Sequence, residues 1–296
     1  MRSKLRGNGF TLYGLLEEIP SLTAARHFWR KDLPSYDLVV ISNLWSQWRQ
    51  VQELLLSVEP KKLAILDGQD TPAIFPYALH LRNQPWAYLL QTSKMLYFKR
   101  ELMGMGLGYR LEYLLPYALR KNMPPPRNVK PLAFSIPEEN ILAVESVGRT
   151  NEFPTHIVDE EIAKHALSSF YSSTGSDRQA FSSEEEYYGD LQQSRFGVTT
   201  KRRGWDCLRH YELAANGCVL CFRDLDHKPS TCAPHGLDTT NCIIYHSYEE
   251  LQARISSMSL GEYSTLKSNS ATWIRKNTTK VRAQEFLAQC GFQGII

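Results

Sequence analysis

The stretch that decides the fold spans residues 194–224 and reads SRFGVTTKRRGWDCLRHYELAANGCVLCFRD. Its apolar runs at 196–199 and 218–222 predict two strands that are buried on both faces. The residues between them predict a helix at 206–216, which Gly217 ends because glycine readily takes the left-handed conformation found after a last helical turn. Strand, helix and strand in this order form a βαβ unit, so the stretch predicts a parallel sheet.

Further elements lie on both sides of this unit. Serine followed three residues later by glutamate, at 183–186 and again at 247–250, has the spacing of a capping box. These boxes predict helices that run to about residues 193 and 255. The remaining C-terminal patterns predict a helix at 158–170, a strand at 242–245, and one or two helices at 263–287.

The first half of the chain also alternates strands and helices. Apolar runs at 37–41 and 63–66 predict strands, and apolar residues at helical spacing between Val51 and Val58 predict a helix. Residues 86–102 predict another strand and helix. Buried strands separated by amphipathic helices predict a second parallel sheet.

These patterns predict an α/β protein with two Rossmann-like domains in tandem that face a cleft. A length of 296 residues suits two domains, and the proline-rich stretch at 123–131 is stiff, extended and typical of a boundary. We expect an N-terminal domain at 1–125, a C-terminal domain at 126–262, and C-terminal helices at 263–296 that pack across the molecule.

Composition and charge narrow the class of protein. With 43% hydrophobic and 22% charged residues, the sequence is neither collagen-like nor wholly disordered. Residues 1–130 carry 18 Lys and Arg against 10 Asp and Glu, whereas residues 131–296 carry 16 against 21. The basic half favours an anionic partner, and basic residues scattered over a surface without a partner explain the same count.

The sequence predicts a cytoplasmic protein without a transmembrane segment. Its strongest apolar stretch, 38–41, is strand-sized, and the basic start is a poor secretory signal. All six cysteines lie in the C-terminal half, and we expect reduced thiols. Cys218 and Cys221 have the spacing of half a zinc site, but because no second half follows, buried strand cysteines are favoured.

Cations cluster where a ligand is expected. Lys201, Arg202 and Arg203 follow a predicted strand, and Arg209 lies in the first turn of the next helix. Ligands of open α/β sheets bind at the carboxyl ends of strands, where a helix N-terminus offers N–H groups to phosphate. The phosphates of a nucleoside diphosphate would therefore fit at the carboxyl ends of these strands. For Arg209 and Glu212, the alternative is an i,i+3 ion pair on a solvated helix face.

The run at 194–224 resembles the donor-site signature of GT-B glycosyltransferases, especially the exostosin-like and CgeB-like branches. Weaker similarity extends to residue 251 and to the segments at 98–100 and 131–137, about a third of the chain in all. The resemblance implies that Glu212 binds the ribose hydroxyls of a nucleotide-sugar and that Gly204 lets the backbone approach the diphosphate. The donor-binding residues it implies are Thr200, Lys201, Arg202, Arg203, Gly204, Trp205, Asp206, Arg209, His210 and Glu212.

The catalytic candidates lie in the first half. Asp70, and after it Asp67, follow a predicted strand, where a carboxylate facing the cleft would deprotonate an acceptor hydroxyl; capping the turn after the strand is an equal alternative. The other candidates for that proton transfer are His27, His80 and His235, each better explained as a surface or core histidine. Trp45 and Trp48 suit either sugar stacking or core packing.

The resemblance implies a glycosyltransferase that uses no metal and no cofactor and takes a UDP- or GDP-linked sugar. The acceptor classes consistent with the charge are a lipid-linked phosphate, an envelope polymer or a modified nucleic-acid base. Compared with the family, the chain is expected to lack the first N-terminal βα unit, either because this member is naturally short or because an N-terminal piece is missing from the sequence. Its glycine run at 104–108 resembles a dinucleotide motif only superficially. A non-catalytic module for an anionic polymer and a sugar-nucleotide epimerase are the alternative functions.

Overall fold

The computed structural model describes residues 31, 33–42, 57–72, 74, 94–103, 116–120, 127–142, 148–166 and 181–292. The chain divides into two compact units. The first takes in Met1–Ala133, Pro229–Ala233 and Phe286–Ile295, and the second takes in Phe134–Lys228, Pro234–Glu285 and Ile296.

The first unit contains a parallel sheet, as the sequence predicts. It has four strands, and the fourth, at 129–131, lies in the stretch that the sequence predicts as a domain boundary. Its strands are β1 (Val39–Ser42), β2 (Leu63–Asp67), β3 (Leu96–Lys99) and β4 (Val129–Pro131), in the order β1-β2-β3-β4. A short helix, α1 (Tyr117–Arg120), precedes β4. Proline suits the end of β4 because it has no N–H to donate to a further ladder bond.

One face of this sheet packs on the C-terminal end of the chain. Phe98 of β3 lies 4.7 Å, ring centroid to centroid, from Phe286. Ala64 joins them in one buried cluster, with Leu66 and Leu287 packed against it. The sheet is thus covered by apolar side chains, which is what its continuous apolar strands require.

The second unit contains a three-stranded parallel sheet, which confirms the predicted βαβ pattern. Its strands are β5 (Phe196–Thr200), β6 (Val219–Arg223) and β7 (Cys242–Tyr245), in the order β5-β6-β7. The helices of this unit are α2 (Glu160–Ala166), α3 (Glu184–Gln193), α4 (Leu208–Ala215), α5 (Tyr248–Ser256) and α6 (Leu260–Arg275). A further helix, α7 (Thr279–Gln289), begins in the second unit, and its residues from Phe286 onward belong to the first.

Helix α4 begins two residues later than predicted, and the reason lies in Asp206. Its carboxylate accepts hydrogen bonds from the Tyr211 hydroxyl (2.9 Å) and from the backbone N–H of Phe134 (2.7 Å). These contacts hold Asp206 outside the helix, and Cys207 takes the extended N-cap conformation. The predicted end is confirmed, because Gly217 has a φ of 79°.

Serine caps begin three of the helices. Ser183 accepts from the Glu186 N–H, and Ser247 accepts from the Glu250 N–H. The Glu186 side chain binds Ser182 instead of completing the box. A complete capping box joins Ser259 to Glu262, so α6 begins at Leu260, three residues before the predicted start at 263.

Several predictions lie outside the described residues. These are the helix between Val51 and Val58, apart from its last two residues, the glycine run at 104–108, the prolines at 124–126, and the residues Trp45, Trp48, His27 and His80. Within the described ranges, no helix is long and apolar enough to cross a membrane.

We predict that Gly197→Ala destabilises the protein by about 1–3 kcal/mol, the usual effect of overpacking. A Cβ at this position of β5 would lie 2.8 Å from the Leu213 Cδ2 atom and 3.1 Å from the Cys218 Cβ atom, both of them buried. Urea unfolding measures the change.

The matched control is Gly189→Ala on α3, where an added Cβ meets nothing within 4 Å. It should leave stability unchanged or raise it by up to about 1 kcal/mol, because alanine favours helices. Equal unfolding midpoints for Gly197→Ala and the wild type would contradict the close packing of α4 on β5.

Candidate functional site

A pocket of about 820 Å³ lies at the carboxyl ends of β5 and β6, within the second unit. This is the edge of a parallel sheet at which ligands bind. The residues lining the pocket come from the loops after the two strands and from the start of α2: Val158, Asp159, Glu160, Glu161, Lys164, His165, Thr200, Lys201, Arg202, Arg203, Arg223 and Asp224. Four of the predicted donor residues, Thr200–Arg203, therefore lie together on one wall.

The wall of the pocket formed by residues 200–203 is a turn that carries three basic side chains. Lys201, Arg202 and Arg203 are all exposed, and none of them is ion-paired within the described part of the chain. The Arg202 N–H donates to the Gly204 carbonyl (3.2 Å), which closes the turn. Trp205 is buried beneath it, with the Lys201 ammonium 5.1 Å from its ring centroid. The turn therefore presents three cations on a fixed backbone.

His210 joins this turn to strand β5. It is fully buried, with Nε2 2.9 Å from the Trp205 carbonyl and Nδ1 2.9 Å from the Thr199 hydroxyl. Because a carbonyl only accepts, Nε2 donates, and a neutral ring then accepts from Thr199 at Nδ1. His210 thus holds the loop in place, and Asp206 does the same through Tyr211. Both predicted donor residues support the site from beneath.

Arg209 and Glu212 meet at a tyrosine of the neighbouring helix. The Arg209 Nη2 donates to the His156 carbonyl (2.7 Å), and its guanidinium lies 5.9 Å from the Tyr187 ring centroid. Glu212 is only 8% exposed and accepts from the Tyr187 hydroxyl (3.1 Å). The burial of Glu212 contradicts the solvated ion pair that the sequence left open.

Both the cations of the pocket wall and Arg209 affect the pKa of His156. Partial burial, the Arg209 guanidinium and the Arg202 guanidinium, in that order, lower its pKa from the usual value. Arg202 belongs to the pocket wall, whereas Arg209 contacts Tyr187. The two guanidinium groups therefore act on one imidazole, and the positive charge continues from the pocket to the start of α4.

Arg223, at the end of β6, lines the pocket but is neutralised by two carboxylates. The Arg223 Nη1 lies 3.1 Å from both Asp159 oxygens, and its Nη2 lies 2.6 Å from a Glu161 oxygen. The Tyr245 hydroxyl also donates to Asp159 (2.9 Å). Sequence reasoning missed this cluster, although the strand-end rule that selected residues 201–203 applies equally to Arg223. The second wall of the pocket is therefore acidic, and its Asp159 and Glu161 carboxylates are ion-paired with Arg223.

Asp224, next to Arg223, has an unusual backbone. It is the one non-glycine residue in the described ranges with positive φ, at 56°. Its Oδ1 lies 2.8 Å from Nδ1 of His246, and this hydrogen bond, with Asp226 nearby, raises the pKa of His246. No local sequence pattern singles out this pair, because Asp224 and His246 follow different strands.

The two catalytic candidates, Asp67 and Asp70, both lie in the first unit but differ in their exposure to solvent. Asp67 is buried, and it forms an ion pair with the fully buried Lys99 (2.9 Å) and accepts from the Tyr97 hydroxyl. Burial lowers the pKa of Lys99, against the attraction of Asp67. Asp70 keeps 45% of its side chain exposed and is ion-paired with Arg100. Asp70 is thus the carboxylate with access to solvent.

The remaining sequence-predicted residues lie outside the lining of the pocket at the ends of β5 and β6. Cys218, just before β6, and Cys221 within it are buried, as predicted for strand cysteines, and burial raises the pKa of Cys218 to about 12. His235 accepts through its carbonyl from Trp273 Nε1 (2.8 Å), beside a separate pocket. Among the described residues, no group of three or more His, Cys, Asp or Glu side chains is arranged to hold a metal.

No protein-family model matches the chain, and no curated protein matches it significantly.

We predict that His156 titrates with a pKa below its ordinary value of about 6.5, and that Arg202→Gln moves this pKa upward. Removing a neighbouring positive charge makes protonation of the imidazole easier, so the direction is toward the ordinary pKa. NMR titration of the histidine side-chain resonances measures the pKa in both proteins.

His246 serves as the internal control in the same spectra. Its pKa should lie above the ordinary value in both proteins, because its neighbours are the carboxylates of Asp224 and Asp226. A His156 pKa that is unchanged by Arg202→Gln would show that the pocket wall and the start of α4 are electrostatically separate.

Proposed function

We propose that the protein is a glycosyltransferase whose second unit binds a nucleotide-sugar. The observation that carries the proposal is the turn of three exposed cations, Lys201–Arg203, on the wall of a pocket at the carboxyl ends of parallel strands. Exposed Lys and Arg side chains are suited to phosphate, and arginine can bind two oxygens at once. A pocket of about 820 Å³ is large enough for a nucleotide-sugar.

The proposed chemistry needs stabilisation of a leaving diphosphate. When the bond between the sugar carbon and the diphosphate oxygen breaks, negative charge develops on that oxygen, and fixed cations lower the energy of this state. The turn suits this role because His210 and Trp205 hold its backbone from beneath. Little reorganisation of the turn is then needed during the reaction. The sugar is proposed to be linked to UDP or GDP.

The acceptor side belongs to the first unit in this proposal. An acceptor hydroxyl would lose its proton to a carboxylate as its oxygen bonds to the sugar carbon, and the nucleoside diphosphate would leave. Asp70 suits the role of base better than Asp67, which is buried against Lys99. The GT-B arrangement, in which two Rossmann-like domains face a cleft, is part of this proposal, as is an anionic acceptor.

We expect Arg202→Gln to weaken the binding of UDP or GDP about ten-fold, because a charge-assisted hydrogen bond to phosphate is lost. Isothermal titration calorimetry at low and moderate salt measures the affinity, and added salt should weaken wild-type binding. The matched control is Arg275→Gln, an exposed arginine at the end of α6, which should bind like the wild type. If the wild-type protein binds neither nucleotide, the proposal fails.

We expect Asp70→Asn to reduce transfer, or slow donor hydrolysis by water, by about 100-fold or more, because an amide does not take up the acceptor proton. The affinity for UDP or GDP should stay unchanged, since Asp70 lies in the first unit. Release of nucleoside diphosphate from a labelled donor measures the rate. An Asp70→Asn protein with full activity would exclude this residue as the base.

A further inference from the structure

A second pocket, of about 490 Å³, lies within the second unit at the other edge of its sheet. It is lined by the loop before β7, the C-terminal end of α6 and the first turns of α7. Because β5, β6 and β7 are parallel, the amino end of β7 lies at the edge opposite to the carboxyl ends of β5 and β6. We call it the amino-edge pocket, and the lining residues that matter below are Asn241, Asn269, Trp273, Lys276, Arg282 and Glu285.

Buried side chains hold the floor of the amino-edge pocket in place. Trp273 is buried, and its Nε1 donates to the His235 carbonyl (2.8 Å). The Asn241 Nδ2 donates to the Gly236 carbonyl (2.8 Å), and the Asn277 Nδ2 donates to the Trp273 carbonyl (2.7 Å). The floor therefore keeps its shape without a ligand, as is usual for sites that bind small molecules.

Two cations line this pocket, and only one of them is neutralised. The Arg282 Nη1 lies 2.5 Å from a Glu285 oxygen, and its Nη2 donates to the Asn277 side-chain oxygen. Lys276 is exposed, and no carboxylate of the described ranges forms an ion pair with it. The lining therefore keeps an excess of one positive charge, which favours a ligand with a single negative charge.

The Nε atom of Arg282 supplies an independent observation. It is buried and has no hydrogen-bond partner in the part of the chain that the structure describes. A buried donor without an acceptor is unfavourable, and an oxygen atom of a ligand would satisfy it. Because the Arg282 side chain keeps 25% of its surface exposed, a small rotation is enough to bring this N–H to the pocket.

The size and the rim of the pocket favour a hydroxylated carboxylate over a simple ion. A volume of about 490 Å³ is in the range of sites for small organic molecules. Thr240, Asn269 and Thr272 lie on the rim, and their side-chain oxygens can accept hydrogen bonds from hydroxyl groups. A phosphate group carries nearly two negative charges at neutral pH, whereas one carboxylate balances the excess of one positive charge.

We propose that the amino-edge pocket binds a small hydroxylated carboxylic acid, of the sugar-acid class, whose carboxylate lies between the Lys276 ammonium and the Arg282 Nε. The pocket shares no residue with the nucleotide site proposed above. The second unit then has two ligand sites, at opposite edges of one sheet, and this proposal does not depend on glycosyl transfer.

The test follows the indole N–H resonances of the full chain by NMR during titration with gluconate. The Trp273 resonance, assigned with Trp273→Phe, should shift to saturation because its ring lines the amino-edge pocket. The Trp205 resonance should stay unchanged, since Trp205 lies beneath the turn at 201–203. Glucose has similar hydroxyl groups but no carboxylate, so it should shift neither resonance at the same concentrations.

Lys276→Gln should weaken gluconate binding about ten-fold, because a charge-assisted hydrogen bond is lost. Arg282→Lys, which keeps the charge but removes Nε, should weaken it by a similar factor. The matched control is Arg275→Gln, the adjacent exposed arginine, which does not line the pocket and should bind like the wild type. Since Lys276 is exposed, its variant provides the test even where Arg282→Lys does not fold.

Three results would overturn the inference. These are a Trp273 resonance that gluconate does not shift, an unchanged affinity in Lys276→Gln, and inorganic phosphate that binds beside Trp273 more tightly than gluconate does. Binding of UDP or GDP is followed at Trp205 in separate titrations of the same sample. Either proposal can therefore fail while the other stands.

Discussion

The close packing of helix α4 on strand β5 determines where the groups of the candidate site lie. Gly197 has no side chain, so Leu213 approaches to a distance that any Cβ would block. The helix therefore crosses the sheet tightly, and its first turn comes to the carboxyl ends of the strands. Arg209, the turn at 201–205 and Glu212 all take their positions from this one contact.

Buried polar groups then make the turn rigid. His210 connects Thr199 of β5 to the Trp205 carbonyl, and Asp206 connects the same loop to Tyr211. Each bond is formed in a buried environment, where a broken one costs about 1–3 kcal/mol. The exposed cations are thus carried by a backbone that has few alternative conformations, which is what electrostatic stabilisation of a leaving group requires.

The strands and helices could be predicted because local patterns encode them, whereas most side-chain roles depend on distant residues. The strand at β7 and the capped start of α3 follow from a few neighbouring residues. Asp206 stands outside its helix because Phe134, 72 residues away, binds it. Asp67 is buried because Lys99 lies on the adjacent strand. The start of α6 at Leu260 could also have been predicted from the sequence, since Ser259 and Glu262 have the spacing of a capping box.

The number of Lys and Arg side chains at the site does not give its net charge, because carboxylates neutralise some of these side chains and not others. Arg202 and Arg223 follow neighbouring strands, but Arg223 is bound by Asp159 and Glu161 and presents little net charge. Positive charge is therefore concentrated at the end of β5, and the end of β6 offers carboxylates and a His–Asp pair. A uniformly anionic polymer would suit only one of these walls. A ligand with a diphosphate at one end and hydroxyl groups at the other suits both, which favours a nucleotide-sugar over the polymer.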